Sequence, residues 1–270
     1  MASMRSYLKF FDECLQYREL TLALIFRHLN ARYRGSALGL LWSLINPLFL
    51  MGVYTLVFTY YMRFDHVPNY TIFLFSGLLP WLWVVSSLVE GSTAISGSGH
   101  LVTKSLFPAH ILPFVSVATS LVNFLLSLPL LYIFIWFAGI KLSLLNLLLL
   151  VLNLVPLLIL NLTFLYGLSL IASSVNVFFR DVQHLAGNFI TLIFFLTPIV
   201  YPLSSVPEGW RFTIIYNPLS RFVITYHEVL YHFKNIDVGN WLFLGSASLV
   251  SLFIGISIYL ALYEKFPESL

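Results

Sequence analysis

Charge is what this sequence has least of. Asp, Glu, Lys and Arg make up 9% of its 270 residues, against 59% hydrophobic residues, and the mean hydropathy is +0.90. Soluble domains carry about 25% charged residues, so too little polar surface is left to cover a water-soluble globule of this size. Cysteine is nearly absent as well. Cys14 stands alone and excludes an internal disulfide. Short alternating strands, which a closed barrel needs, give way to long unbroken apolar runs. Helices are then the only structure that can cross a bilayer. The chain reads as an all-α membrane protein without a soluble appendage large enough to be an enzyme.

Catalytic signatures are missing too. The nearest approach to a phosphate-binding loop is GSGHLVTKS, residues 97–105. Its Lys104-Ser105 end fits a Walker sequence, but Thr103 stands where glycine is required and the earlier spacing fails. The chain is not expected to hydrolyse ATP itself or to hold a cofactor. No His, Cys or acid cluster has metal-ligand spacing, and His100 and His110 are expected to be interface or loop histidines. No nucleophile has an acid–base pair at a recognisable spacing. Asn69-Tyr70-Thr71 matches a glycosylation sequon by chance. Glu90 is the one carboxylate well inside an expected span, either a functional group or the partner of a basic side chain or helix end. A lone acid argues against a proton-coupled carrier, which needs a relay of several. No internal repeat is evident, so the inverted repeats of many secondary transporters find no support.

What charge there is has been placed unevenly. Arg5, Lys9, Arg18, Arg27, Arg32 and Arg34 are six of the 14 basic residues and precede the first long apolar run. Excess Lys and Arg marks the cytoplasmic side, so the N-terminus is expected there. The stretch leads straight into a membrane span, which disfavours nucleic-acid binding. A cleaved signal peptide is not expected, since the first apolar run is long and late for one. Over residues 6–34, Leu8, Phe11, Leu15, Leu22, Ile25, Leu29 and Tyr33 recur at roughly helical spacing among basic residues. That pattern predicts an amphipathic helix lying in the membrane interface, with residues 1–35 as one unit and 36–270 as the spanning domain.

Six transmembrane helices are expected. The first, 37–62, reaches roughly 39 Å at 1.5 Å per residue and should kink at Asn46-Pro47. Tyr60, Tyr61 and Arg63 mark its outer end, and a short loop, Asp65 to Asn69, follows. The second covers 70–95. Residues 96–110 form a cytoplasmic loop with room for one short helix. The third span covers 111–138. The stretch 142–178 is long for one span and short for two; with no hairpin signal, and with Pro156 read as a kink, it is taken as one tilted helix. A turn at Arg180, Asp181 and His184 leads to the fifth span, 186–202. Residues 203–238 read as short re-entrant outer helices, tolerated only where protein or a water cavity surrounds them. The last span is 240–262, and both termini are expected in the cytoplasm. Aromatic residues make up 17% of the chain. Most anchor and pack in lipid, but rings stack on the C–H faces of sugars. Tyr54, Phe58, Tyr61, Trp81 and Trp83 are candidates to line a passage, together with Glu90.

Two runs carry a resemblance. RELTLALIFRHLNARYRGSALGLLWSLINPLFLMGVYTLVF, residues 18–58, and SSVNVFFRDVQHLAGNFITLIFFLTPIVYP, residues 173–202, resemble the membrane subunits of polysaccharide-exporting ABC transporters for O-antigen, capsule or teichoic acid. IIYNPLSRFV, residues 214–223, is similar to the family's outer re-entrant region. The loop at 96–110 matches in place and length more than in letters. The resemblance implies a homodimer of six-span subunits in the cytoplasmic (inner) membrane. Two separate ATPase subunits would hold ATP and Mg, and the substrate would be a glycan on a polyprenyl (pyro)phosphate. It also implies that residues 6–34 and the short helix within 96–110 dock on the ATPase, with Ser98, His100, Lys104, Ser105 and Phe107 as coupling candidates. Arg32, Arg34 and Arg180 are placed to meet a lipid phosphate; binding of anionic headgroups is the simpler alternative. A permease for drugs or small lipids, a transferase for polyprenyl-linked sugars and a passive channel or secondary carrier are the competing readings.

Overall fold

A computed structural model of the chain describes residues 4–62, 67–104, 107–141 and 143–270. Arg63 and Asp65, expected near the outer end of the first span, lie outside the described residues. Every regular element is helical among the described residues.

The N-terminal stretch forms two helices rather than one, α1 (Met4–Gln16) and α2 (Arg18–Tyr33). Tyr17 separates them with φ −94° and ψ 19°, outside the helical well. The break lets each helix bury its own anchor. Phe10 of α1 enters a cluster with Ile95, Tyr166, Val177, Tyr259 and Phe266. Ile25 and Leu29 of α2 pack on Ile111, Val115 and Ala118. Both helices also leave Leu8, Phe11, Leu15, Leu22 and Phe26 exposed.

A 3-10 turn at Gly39–Leu41 leads into α3 (Trp42–Thr55), which continues as a π-helical segment over Leu56–Tyr61. Pro47 lies inside α3. It lacks the N–H that would bond to the Ser43 carbonyl, and the Ser127 hydroxyl donates to that carbonyl instead, at 3.2 Å. In lipid a freed carbonyl has no water to turn to, so this bond ties α3 to the helix at Ile111–Phe137. Asn69, at φ 49°, starts α4 (Tyr70–Thr93). A 3-10 turn at Ser96–Ser98 and the short α5 (Gly99–Lys104) form the expected loop helix. Next come α6 (Ile111–Phe137) and α7 (Leu144–Asn176). α7 is one unbroken helix of 33 residues, about 50 Å long, so the ambiguous stretch is a single element with Pro156 inside it.

α8 (Val182–Leu196) has 15 residues, about 22 Å, and extended backbone takes over at Thr197. The segment expected as re-entrant contains α9 (Arg211–Ile215) and α10 (Pro218–Leu230). α11 (Val238–Leu262) follows, and the tail turns into α12 (Phe266–Ser269). Among the described residues five helices are long and apolar enough to cross a membrane: α3 with its π extension, α4, α6, α7 and α11 with its tail; α8 is apolar but shorter.

α4 is the axis of the bundle. Of its most apolar stretch 78% is buried, against 17–33% for the other four, so those turn broad apolar faces outward. α7 and α11 cross through small residues, as helices in lipid commonly do. A Cβ on Gly167 would lie 2.4 Å from the Ser251 backbone, and one on Gly255 would lie 2.5 Å from the Gly167 carbonyl oxygen. Beside this contact Ser248 and Ser251 donate across the crossing to the Leu160 and Phe164 carbonyls, both at 2.9 Å.

Candidate functional site

The basic end of the bundle is where α1, α2, α5 and α12 meet the ends of the long helices. Two of the residues singled out in the sequence join here: the Arg32 guanidinium, on the last turn of α2, donates to the Glu90 carboxylate, on the last turn of α4. The side chains are 29% and 35% exposed. The charge in the α4 span is therefore half-buried and paired, as an ionisable group at membrane depth must be.

Each partner borders a different cleft. Arg32 borders one of about 190 Å³ between α3, α4 and α6, whose wall carries Ser43, Asn46, Ser86, Ser120, Asn123 and Ser127 beside Trp42 and Trp83. Hydroxyl, amide and indole groups thus gather among apolar helices, several of them donating to backbone carbonyls: Ser127 to Ser43, Ser120 to Ser116 and Trp83 to Val117. Glu90 borders the other, about 350 Å³, with Arg27, His28, Thr93, Ser98 and Ser116. The ion pair stands between them.

Arg34 and Arg180 are exposed and make no ion pair among the described residues, Arg180 not even with its neighbour Asp181. Of the coupling candidates, Ser98 is half-buried in the second cleft and His100 is exposed. Phe107 packs back onto the Ile25 and Leu29 cluster under α2. Lys104 ends α5, but its side chain lies outside the described residues, as does Ser105. α5 rests on the C-terminus. A Cβ on Gly99 would touch Leu270 at 3.4 Å, and Phe266 of α12 is fully buried.

The aromatic candidates form part of a seam toward the opposite end. Tyr54 stacks on Phe194 at 5.9 Å between ring centroids and neighbours Phe58, which meets Tyr70 at 6.1 Å. Trp81 is buried against Phe194. Trp83 is buried on Phe124, and its indole N–H donates to the Val117 carbonyl at 3.1 Å. Tyr61 is 74% exposed. The seam therefore mixes rings committed to packing with rings that face outward.

Sequence reasoning missed three features. His110 was expected at an interface or in a loop, but its side chain is fully buried, 4.2 Å from the Phe10 ring and 5.5 Å from Tyr259 between centroids. Burial holds its pKa down at about 4, although the Glu13 carboxylate lies 3.7 Å from Nδ1 and pulls the other way. Second, α10 is locked by His227. Its Nε2 lies 3.1 Å from the Pro198 carbonyl and its Nδ1 2.8 Å from the Ser76 hydroxyl. A carbonyl only accepts, so Nε2 carries the proton, while the Ser76 hydroxyl has one proton to share between Nδ1 and the Phe73 carbonyl at 2.7 Å. Third, the C-terminal residues form a docked helix. The scattered outer acids each have a structural partner. Glu208 pairs with Arg211, Glu228 accepts from the Asn240 amide and Asp237 caps α11. No grouping of His, Cys, Asp and Glu among the described residues could hold a metal ion.

Comparison with known proteins agrees with this architecture. Residues 19–231 match the family model described as ABC-2 type transporter. The chain is 40% identical over 260 residues to the O-antigen export system permease protein RfbA of Myxococcus xanthus, covering 96% of this chain and 98% of that protein. It is 31% identical to the protein of the same name from Klebsiella pneumoniae, over 93% and 95% of the two chains. With the polysialic acid transport protein KpsM of Escherichia coli the identity is 26%, over 88% and 91%. The chain is an integral membrane protein and belongs to the ABC-2 type transporter permease family.

Proposed function

We propose that this chain is the membrane subunit of an ATP-driven exporter that moves a lipid-linked polysaccharide, of O-antigen, capsule or teichoic acid type, out across the cytoplasmic membrane. The observation that carries this reading is the near full-length similarity to permeases named for O-antigen export. The cleft bordered by Arg32 supports it, because its wall carries hydroxyl, amide and ring side chains of the kind that meet a glycan.

In this reading the functional unit is a homodimer with two ATPase subunits, which hold ATP and Mg. Each permease crosses the membrane six times, α8 with its extended end counting as the fifth span and α9–α10 as the re-entrant outer element. The basic end and both termini face the cytoplasm. The exposed Arg34 and Arg180 meet the (pyro)phosphate of the polyprenyl carrier. Arg32 joins them when the phosphate displaces Glu90. Tyr54, Phe58, Tyr61, Trp81 and Trp83 lie along the route of the glycan. α1, α2 and α5 receive the motion of the ATPase pair, with Ser98, His100, Lys104, Ser105 and Phe107 at the contact. Closure of the ATPases on ATP would then shift these helices as a rigid platform.

Deletion of the gene in its own host tests the proposal. Surface polysaccharide should be lost, and the lipid-linked chain should accumulate inside. An unchanged surface glycan on deletion would remove the reading. In the complex, Lys104→Glu should lower glycan-stimulated ATPase activity while the subunits still co-purify.

A further inference from the structure

Between the interfacial helices and the bundle lies a third cavity, about 340 Å³, which the proposed transport route does not use. Cys14, Arg18, Thr21, Leu22 and Ile25 form one side, and His110, Ile111, Phe114 and Tyr166 form the other. Arg18, Thr21, Leu22 and Ile25 follow the i, i+3, i+4, i+7 spacing that puts side chains on one helix face. The wall is almost wholly apolar, and the Thr21 and Tyr166 hydroxyls donate to the Tyr17 and His110 carbonyls; two other groups stand out. Arg18 is exposed at the rim and makes no ion pair among the described residues. His110 is fully buried in the wall, and neither ring nitrogen has a hydrogen-bond partner. Its Nδ1 lies 3.7 Å from the Glu13 carboxylate and the ring has no surface open to the cavity, so what points to an occupant is the open apolar space with an unpaired guanidinium at its rim.

Several features define that occupant's chemistry. It has an apolar body, because the wall is apolar. It carries an anionic head, because an unpaired guanidinium waits at the rim. Leu22 of the wall is 55% exposed, and exposed leucines on an interfacial helix lie among acyl chains. The occupant therefore comes from the leaflet.

We propose that this cavity binds one anionic glycerophospholipid of the surrounding membrane. Its phosphate sits on Arg18, and an acyl chain fills the apolar space under α2. The lipid acts as a wedge that fixes the angle of α2 against α6. The proposal does not depend on the cargo of the transporter.

Native mass spectrometry of the full-length chain in mild detergent, titrated with palmitoyl-oleoyl phosphatidylglycerol or phosphatidylcholine, tests it. The wild type should retain one phosphatidylglycerol about tenfold more tightly than phosphatidylcholine, the contribution of one charge-assisted contact. Arg18→Gln, an exposed change that leaves packing intact, should abolish that preference. Cys14→Trp, which fills the cavity, should remove the bound lipid while Arg32 and Glu90 are untouched. A preference unchanged in both variants would mean lipid bound elsewhere on the surface and would overturn the site. Displacement of phosphatidylglycerol by equimolar polyprenyl phosphate would also overturn it, by naming the carrier as the occupant.

Discussion

Arg32 on α2 holds Glu90 on α4 in an ion pair that spans 58 positions of sequence and separates two polar clefts. Pairs as exposed as this one contribute about 0.2–1 kcal/mol. Its removal should therefore cost little stability and change function instead. Glu90→Gln frees Arg32 and should let glycan stimulate the ATPase at lower concentration. Arg32→Glu should weaken stimulation, and the reversed pair Arg32→Glu with Glu90→Arg should recover part of it. A double-mutant cycle on stimulated activity measures the coupling; additive effects would mean the pair has no joint role.

Gly77 faces the imidazole of His227, and a Cβ there would lie 2.6 Å from Cε1. The ring cannot retreat, since both nitrogens are held by Ser76 and Pro198. Gly77→Ala should destabilise the fold by about 1–3 kcal/mol, read as a lower midpoint of thermal unfolding in detergent. His227→Ala opens the space but breaks both bonds. The double variant should thus be no worse than His227→Ala alone. If Gly77→Ala unfolds like wild type, α10 is not fixed as described.

The α7–α11 crossing should behave the same way. Gly167→Ala puts a methyl group into the Ser251 backbone and should lower the unfolding midpoint. Gly187→Ala on α8 and Gly245→Ala on α11 meet nothing within 4 Å. Those two should be neutral or slightly stabilising, because Ala favours helix over Gly by about 1 kcal/mol. Equal effects at all three positions would contradict close packing at Gly167.

Acid should loosen the N-terminal helices. His110 has its pKa lowered from 6.5 to about 4 by burial, so it stays neutral when folded and charges more readily when exposed. The opened state binds more protons between those values, and stability rises with pH there. The contribution is complete above about pH 6.5 and is lost as pH falls toward 4. The full span is a few kcal/mol at most. Glu13 is the one carboxylate in contact with the ring; Cys14 beside it has its thiol pushed up to about 11, and stays neutral throughout. The protection of α1 amides against hydrogen exchange, taken relative to the intrinsic rate at each pH, should therefore fall from pH 7 to pH 5 in the wild type, and His110→Phe should flatten the profile.

The long helices were legible because their signal is local: some twenty apolar residues in a row must span or be buried. The single helix 144–176 followed from the lack of any turn residue. The residue motifs around Arg32, Asn46-Pro47 and Arg180 carried the family. What stayed hidden was which face of each helix meets which neighbour. An apolar helix in lipid has no polar side to orient it, so the burial of Trp83 and the cleft beside Asn123 could not be read. The Gly77–His227 contact joins residues 150 positions apart, and no periodicity encodes it. The break at Tyr17 was missed because its cause is tertiary: Phe10 and Ile25 seek different clusters. Arg32 and Glu90 were each singled out, one for its charge before a span and one for its charge within it, but their pairing appeared only in the folded chain.

ATP hydrolysis in lipid vesicles tests the central claim most directly, with this chain alone, with its ATPase partner, and with partner plus purified lipid-linked glycan. The account predicts no hydrolysis by the chain alone, basal activity with the partner, and a clear rise when the glycan is added. Activity that ignores the glycan, or a chain that assembles with no ATPase, would contradict it.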